Sequence, residues 1–250
     1  MLVRRIRLPS SSGRMARPLL AGIVLGGLLT VAPVAALSAQ RVVPVRMEPR
    51  HRLVLDRPPV GLLDVRIQPG DTSLFHTHAE PVLFVAVSAS ATDTQPLGGE
   101  WRGNPTRRVP SWKPGTVFES LDYATEPVTH RVANVGTGVF HLMGVFNTGA
   151  GKDSAAWNEG RAPGPVENSD RWFREWRTTL APGARNGPLS TPNPVVGFLV
   201  SPGRVVARSG QVPLEVLHEV GDWFYHAPGR PYELRNVGRE PAEVVVVEVR

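Results

Sequence analysis

Short apolar runs rich in valine, leucine and phenylalanine recur along most of the chain and are separated by turn-forming residues. Examples of the runs are Pro81–Ser88 and Val139–Asn147, and examples of the turns are Pro69–Gly70 and Asn134–Gly136. Such spacing is typical of antiparallel sandwiches and barrels. Helical periodicity is nearly absent, and its best short stretch, Ser169–Arg177, aligns with a strand in the repeat described below. The pattern therefore predicts an all-β protein.

The chain contains an internal repeat. Gly70, which ends a Pro-Gly turn, corresponds to Gly183, which ends another, and the two are 113 residues apart (183 minus 70). The same offset aligns the apolar run Pro81–Ser88 with Pro194–Ser201. Because both turns and apolar runs correspond, we expect two copies of one β-fold.

Later in the repeat the offset shortens, which sets the predicted domain limits. Asn134–Gly136 matches Asn236–Gly238 at an offset of 102 (236 minus 134), so the second copy has 11 fewer residues between its motifs (113 minus 102). We predict a first barrel over residues 41–148, a linker rich in Gly, Pro and Ala over 149–166, and a second barrel over 167–250.

Residues 1–39 have the pattern of an export signal. Five arginines precede an apolar run, Leu19–Ala36, and small residues at Ala36–Ala39 form a site for a signal peptidase. A retained membrane anchor is the alternative, since the run is long enough to span a bilayer. We expect cleavage, a mature chain that begins between Ala39 and Arg41 without a stable membrane anchor, and a periplasmic or secreted location. The choice between the general and the twin-arginine export route stays open.

Composition changes the picture in two ways. Five of the 28 basic residues and none of the 22 acidic ones lie in residues 1–39, so the mature chain has 23 basic and 22 acidic residues, a net charge of +1. This balance, without a basic run interleaved with aromatics, argues against nucleic acid as a partner.

The chain has no cysteine, so disulfides, thiolate ligands and a cysteine nucleophile are excluded. Any metal must be bound through nitrogen or oxygen.

Three of the seven histidines have the spacing of a metal site. His76 and His78 follow a Pro-Gly turn, and residues two apart on a strand point to the same face. His130 lies four residues before Asn134 on a later predicted strand. Three imidazoles from two strands of a small barrel could bind one ion. The alternative is that the barrel keeps them as hydrogen-bonding groups in its core.

The spacing of these residues resembles the two sequence motifs of the cupin superfamily. The first motif is Gly70, five residues, His76, one residue and His78; the second is His130, three residues and Asn134. The resemblance implies two double-stranded β-helix (jelly-roll) barrels, the first with a metal ion in its mouth. It does not imply one reaction, because proteins of this fold include oxygenases, isomerases, storage proteins and sugar-binding modules.

In the second copy the ligand positions become Leu189, Thr191 and Tyr232. No metal can be held by that set. The second barrel is therefore predicted to be degenerate and structural, as in bicupins, and to cover an edge of the first barrel.

The first copy departs from the cupin pattern at its acidic ligand. The family usually has a glutamate three or four residues after the second histidine, but those positions are Val82 and Leu83. Glu80 would share a face with both histidines on an uninterrupted strand, so it is a further ligand or supporting residue to be tested. The repeat instead places Glu80 in the hairpin before Pro81.

Other residues are assigned weaker roles. Residues that could line the mouth are Tyr123, Trp101 and Arg107, although packing and solvated surface explain each of them as well. His141 follows on the next strand and is expected to be an outward or core histidine. No catalytic residue is assigned.

The expected function follows from three neutral imidazoles. Such a set leaves the charge of a divalent ion uncompensated and favours an anionic, chelating small molecule. It resembles the centres of cupin thiol dioxygenases and diketone dioxygenases, which makes Fe(II) the first choice of metal, while Mn(II), Ni(II), Cu(II) and Zn(II) also accept imidazole. We predict an exported metal-binding cupin, with an oxygenase-type enzyme as the first interpretation. A non-enzymatic small-molecule-binding protein and a structural bicupin are the alternatives, and a homodimer stays open.

Overall fold

The computed structural model describes residues 41–103, 108–153 and 164–250, which fall within one structural unit, Gln40–Arg250. The predicted signal peptide, residues 1–39, lies outside the described residues, as do Arg107 and most of the predicted linker. Val166, the last residue assigned to that linker, begins a strand. Among the described residues, no helix has the length and apolar character needed to cross a bilayer.

The described residues form strands and two short 3₁₀ turns, Val45–Met47 and Asp122–Ala124. The strands of the first half are β1 Val42–Pro44, β2 His51–Arg57, β3 Val60–Ile67, β4 Phe75–His78, β5 Val82–Ser88, β6 Thr92–Pro96, β7 Val117–Ser120, β8 Val128–Asn134 and β9 Phe140–Asn147. The strands of the second half are β10 Val166–Ser169, β11 Phe173–Leu180, β12 Arg185–Leu189, β13 Val195–Leu199, β14 Val205–Ser209, β15 Val212–Leu217, β16 Trp223–His226, β17 Tyr232–Asn236 and β18 Ala242–Val249. The predicted all-β class is confirmed, and residues 173–177 are strand, as the repeat predicts.

Each half is built from two sheets that face each other. In the first half the sheet orders are β1-β4-β8-β6 and β2-β3-β9-β5-β7, and in the second they are β12-β17-β14-β15 and β10-β11-β18-β13-β16. Apolar side chains such as Ile67, Phe84 and Phe146 fill the space between the first two sheets. Trp176, Leu199 and Leu234 do the same in the second half. This is the predicted pair of jelly-roll barrels.

The repeat seen in the sequence is also a repeat of hydrogen bonds. The Asn134 side-chain amide donates to the carbonyl oxygens of Ile67 and Gly138, both at 2.8 Å. The Asn236 amide donates to the carbonyl oxygens of Leu180, at 2.8 Å, and Glu240, at 2.7 Å. The two asparagines therefore close equivalent corners of the two barrels.

The barrels pack through the outer faces of their five-stranded sheets. Along β5, Phe84 faces the interior of the first barrel, whereas Leu83 and Val85 face the second. Along β18, Val245 and Val247 face the first barrel. Strands buried on both faces need apolar side chains at consecutive positions, which explains the unbroken apolar runs. The prediction that the second barrel covers an edge of the first was wrong, because it covers a face.

Acidic side chains from both barrels meet in a cavity of about 340 Å³ at this interface. Glu119 lies on β7, Glu167 on β10 and Glu175 on β11. Glu175 is only 2% exposed, and among the described residues its Oε1 atom has no hydrogen-bond partner. Burial, together with the charge of Glu167, raises the pKa of Glu175 to about 7. Burial and the charge of Asp170 raise the pKa of Glu119 to about 7 as well.

Replacing Glu175 by glutamine should stabilise the protein at pH 8 but not at pH 5. The folded protein holds the Glu175 proton up to about pH 7, whereas the unfolded chain releases it near 4.5. The carboxyl group therefore costs stability progressively as the pH rises from about 4.5 through 7. Because glutamine cannot ionise, Glu175→Gln should raise the free energy of unfolding at pH 8 by roughly 1–3 kcal/mol. Urea unfolding at both pH values measures this, with the exposed Glu240→Gln as control. An equal change at both pH values would contradict the assignment.

Candidate metal centre

Three predicted ligands come from two neighbouring strands of the first barrel. His76 and His78 lie on β4, separated by Thr77, so both point into the barrel and are buried. His130 lies on β8 directly opposite His76 in the antiparallel register. The adjacency of β4 and β8 therefore brings together residues 54 positions apart (130 minus 76).

The three imidazole rings lie in mutual contact. The ring centroids of His76 and His78 are 5.0 Å apart, those of His76 and His130 are 4.8 Å apart, and those of His78 and His130 are 5.1 Å apart. The rings are steeply inclined to one another, with interplanar angles of 60–89°. This arrangement groups the rings edge to face around His76.

The hydrogen bonds of His76 define which ring nitrogen can bind a ligand. Its Nδ1 atom lies 2.9 Å from the carbonyl oxygen of Leu74, and since a carbonyl only accepts, Nδ1 carries the hydrogen. The Nε2 atom then presents a lone pair, and it is buried with no hydrogen-bond partner among the described residues. A buried nitrogen lone pair without a donor is costly, so a metal ion at this position fits the residues present.

Burial keeps these rings neutral. It is the main cause that lowers the pKa of His76 to about 3, of His78 to about 2 and of His130 to about 4. A neutral imidazole is the form that binds a metal ion, so no proton has to be displaced from these three rings at neutral pH.

A fourth histidine, His51 at the start of β2, joins this cluster. It is 5% exposed, and its ring centroid lies 4.3 Å from that of His76. The ligand nitrogens of His51, His76 and His78 all lie within 4.8 Å of one another. His51 was not predicted as a site residue because it belongs to neither motif, and its only local signal is the acidic Glu48 three residues earlier.

Glu48 is a buried carboxylate that holds this region together. Its Oε2 atom accepts hydrogen bonds from His51 Nδ1 at 2.6 Å and from the backbone N–H of Arg50 at 2.7 Å. Its Oε1 atom accepts the backbone N–H of Leu74 at 3.0 Å. Burial favours a higher pKa for Glu48, but the hydrogen bonds from His51 and Leu74 outweigh it, so its pKa lies below the usual value. Glu48 is therefore ionised beside the cluster.

Known structures with the same architecture were found by comparison. AerE from Microcystis aeruginosa shares 13% identity over 81% of this chain and 98% of its own, with a TM-score of 0.52. A variant of salicylate 1,2-dioxygenase from Pseudoaminobacter salicylatoxidans, a cupin, shares 10% identity over 77% of this chain and 72% of its own, with a TM-score of 0.51. The chain has the cupin fold.

Two further comparisons accompany this result. The same salicylate 1,2-dioxygenase in adducts with gentisate covers 77% of this chain and 68% of its own, at 11% identity and a TM-score of 0.50. A cupin 2 conserved barrel domain protein from Leptotrichia buccalis covers 80% and 88%, at 9% identity and a TM-score of 0.49. No family model and no curated protein matches the sequence. At sequence identities of 10–13%, the likeness to these structures shows a shared fold and nothing beyond it.

The structure does not bring Glu80 into the histidine cluster. Its carboxylate pairs with Arg46 at 2.6 Å, and its side chain is 29% exposed. Both positions at which the cupin motif usually has its glutamate carry apolar residues here. Val82 faces the interior of the first barrel, and Leu83 faces the second barrel. Among the described residues, Glu48 is the acidic group that hydrogen-bonds to a histidine of the cluster, His51.

Of the other residues considered for the mouth of the cupin barrel, Tyr123 lies at the histidine cluster, whereas Trp101 and His141 contact other residues. Tyr123 contacts the site, with its ring centroid 5.0 Å from that of His78. Trp101 lies instead against Arg131, whose guanidinium carbon is 4.9 Å from its ring centroid. His141 faces out of the barrel and its Nε2 lies 2.9 Å from Asp64, as an outward histidine is expected to do. Arg107 lies outside the described residues.

The second cupin barrel has a different interior. Leu189 pairs with Tyr232 in the register that His76 and His130 have in the first barrel, which confirms the predicted correspondence of these positions. Thr191 donates to the carbonyl oxygen of Asn193 at 2.7 Å. These side chains provide no set of metal ligands.

Proposed function

We propose that this protein is an exported, metal-dependent cupin of the oxygenase type that acts on a small, anionic, chelating organic molecule. The observation that carries the proposal is the buried, unpartnered Nε2 of His76 at the centre of a cluster of neutral imidazoles. His76, His78 and His130 would hold the ion, and Fe(II) is the metal we propose first. Mn(II), Ni(II), Cu(II) and Zn(II) are the other candidates.

The charge of the site supports an anionic substrate. The three imidazoles are neutral, and both nearby carboxylates already have partners, Glu48 with His51 and Glu80 with Arg46. A divalent ion there would keep its charge and attract a carboxylate, enolate or thiolate. An Fe(II) ion held there would supply a positively charged, redox-capable centre for an anionic substrate and O2. Tyr123, in contact with His78, would form part of the wall that such a substrate touches.

The comparisons support a class of compounds for the first trials. One structural neighbour is a dioxygenase of salicylate, and it has been crystallised in adducts with gentisate. We therefore propose small aromatic hydroxycarboxylates together with thiols and diketones as the substrates to test.

Export to the periplasm or beyond is proposed from the arginine-rich, apolar and small-residue pattern of residues 1–39. Nucleic acid is not proposed as a partner.

Oxygen uptake tests the proposal. Protein comprising residues 40–250, loaded with Fe(II), should consume O2 with at least one of these compounds. His130→Ala, which removes one proposed ligand, should lower the rate by roughly 100-fold or more. His218→Ala, at an exposed histidine, is the matched control. Metal-dependent binding of a compound without O2 uptake would favour the non-enzymatic binding protein, and absence of both would leave a structural bicupin.

A further inference from the structure

We infer that His51 is a fourth nitrogen ligand of the same metal ion and that Glu48 positions it. This inference rests on the proposed function, because it presumes that the cluster binds a metal. It adds a residue that lies outside both cupin motifs and predicts a centre of four imidazoles.

The His51 ring lies beside two of the proposed ligands, His76 and His78. The His51 ring lies 4.3 Å from the ring of His76 and 6.3 Å from the ring of His78, measured between centroids. The ligand nitrogens of these three residues lie within 4.8 Å of one another, and all three side chains are buried. Ligands of one ion must converge in this way, and His51 converges on His76 from a strand of the opposite sheet.

A hydrogen bond to Glu48 orients the His51 ring. The Glu48 carboxylate accepts the Nδ1–H of His51 at 2.6 Å, which places the hydrogen on Nδ1 and the lone pair on Nε2. A carboxylate bonded to the far nitrogen of an imidazole is the usual means by which proteins orient a metal-binding histidine. Among the described residues, Nε2 of His51 makes no hydrogen bond that would compete for this lone pair.

Glu48 and His76 both hydrogen-bond to the backbone of one residue, Leu74. The N–H of Leu74 donates to Glu48 at 3.0 Å, and the carbonyl oxygen of Leu74 accepts the Nδ1–H of His76 at 2.9 Å. Hydrogen bonds that meet at Glu48 and at the Leu74 backbone thus orient both histidines, and both are left with Nε2 as the ligand atom.

The first barrel lacks the acidic ligand that the cupin motif usually has. Val82 occupies the interior position at which the cupin motif usually has glutamate. A nitrogen from His51 on β2 restores four protein ligands, while a carboxylate is retained one step away at Glu48. Four neutral ligands leave the full charge of a divalent ion and two open positions of six, so the site should accept one bidentate anion or two single donors.

Counting the imidazoles around Cu(II), used as a spectroscopic probe, tests this inference. Electron spin echo modulation and nitrogen hyperfine spectra of the wild-type protein (residues 40–250) should show four imidazole ligands, and those of His51→Gln should show three. His51→Gln should also bind Zn(II) at least ~10-fold more weakly in a chelator competition. Glu48→Gln should keep four imidazoles and lose about 10-fold in affinity, because the ligand remains and its positioning group is weakened. His218→Gln is the matched control and should change neither value.

The outcomes separate this inference from the proposed function. Wild-type protein that takes up neither Cu(II) nor Zn(II) would overturn both. Wild-type protein that binds metal through three imidazoles, with unchanged spectra and affinity in His51→Gln, would overturn the role of His51 alone. The number of imidazole ligands in the wild-type protein tests the role of His51 even when a variant fails to fold.

Discussion

Replacing His76 by alanine should abolish stoichiometric metal binding by this protein. His76 is the central ring of the cluster, with the rings of His51, His78 and His130 at 4.3, 5.0 and 4.8 Å, respectively. Its Nε2 is also the one ligand atom that is fully buried without a partner among the described residues. We expect the affinity for Zn(II) or Fe(II) to fall by at least ~100-fold, a larger loss than for any other single histidine.

Thermal unfolding gives a second measure of the same change. A metal that binds only the folded state stabilises it by about 2.7 kcal/mol when its concentration is 100 times the Kd. Zn(II) should therefore raise the melting temperature of the wild-type protein and leave that of His76→Ala unchanged. The exposed His218→Ala serves as control and should respond like wild type. If His76→Ala retains one tightly bound ion per chain, the cluster is not the metal site.

Replacing Arg174 by methionine should destabilise the second barrel by about 3–5 kcal/mol, the usual cost of removing one member of a buried ion pair. Arg174 lies on β11 and is 1% exposed, and its Nε donates to Glu248 on β18 at 2.7 Å. Glu248 is fully buried and also accepts the Asn193 amide at 2.8 Å. Without the guanidinium, the Glu248 charge stays buried with only a neutral donor, which is the physical origin of the loss.

Urea unfolding at pH 7 measures this cost. Arg185→Met, on the exposed side of β12, is the control and should change the free energy of unfolding by less than about 0.5 kcal/mol. The double variant Arg174→Met/Glu248→Leu should recover most of the loss, since an apolar pair of similar volume no longer buries a charge. Equal losses in Arg174→Met and Arg185→Met would show that the pair contributes little.

Several features follow from local patterns and were therefore predictable. The all-β class and the two barrels follow from apolar runs and from turns such as Pro69–Gly70, whose spacing repeats along the chain. The grouping of His76 and His78 follows from the two-residue period of a strand, which needs no knowledge of the rest of the fold. His130 was predictable because its spacing to Asn134 marks the strand, β8, that pairs with β4.

Other features depend on contacts between distant strands, which local spacing does not encode. His51 lies 25 residues before His76 (76 minus 51) and joins it because the two opposing sheets of the barrel converge there. Glu80 is excluded because the chain leaves the strand after His78 and its carboxylate meets Arg46, a residue 34 positions away. Unbroken apolar runs, as at Leu83 and Val247, indicate that both faces of each sheet are buried. They do not indicate which other part of the chain covers the outer face. The packing of the two barrels face to face, and with it the acidic cavity around Glu175, arises only when the folded sheets meet.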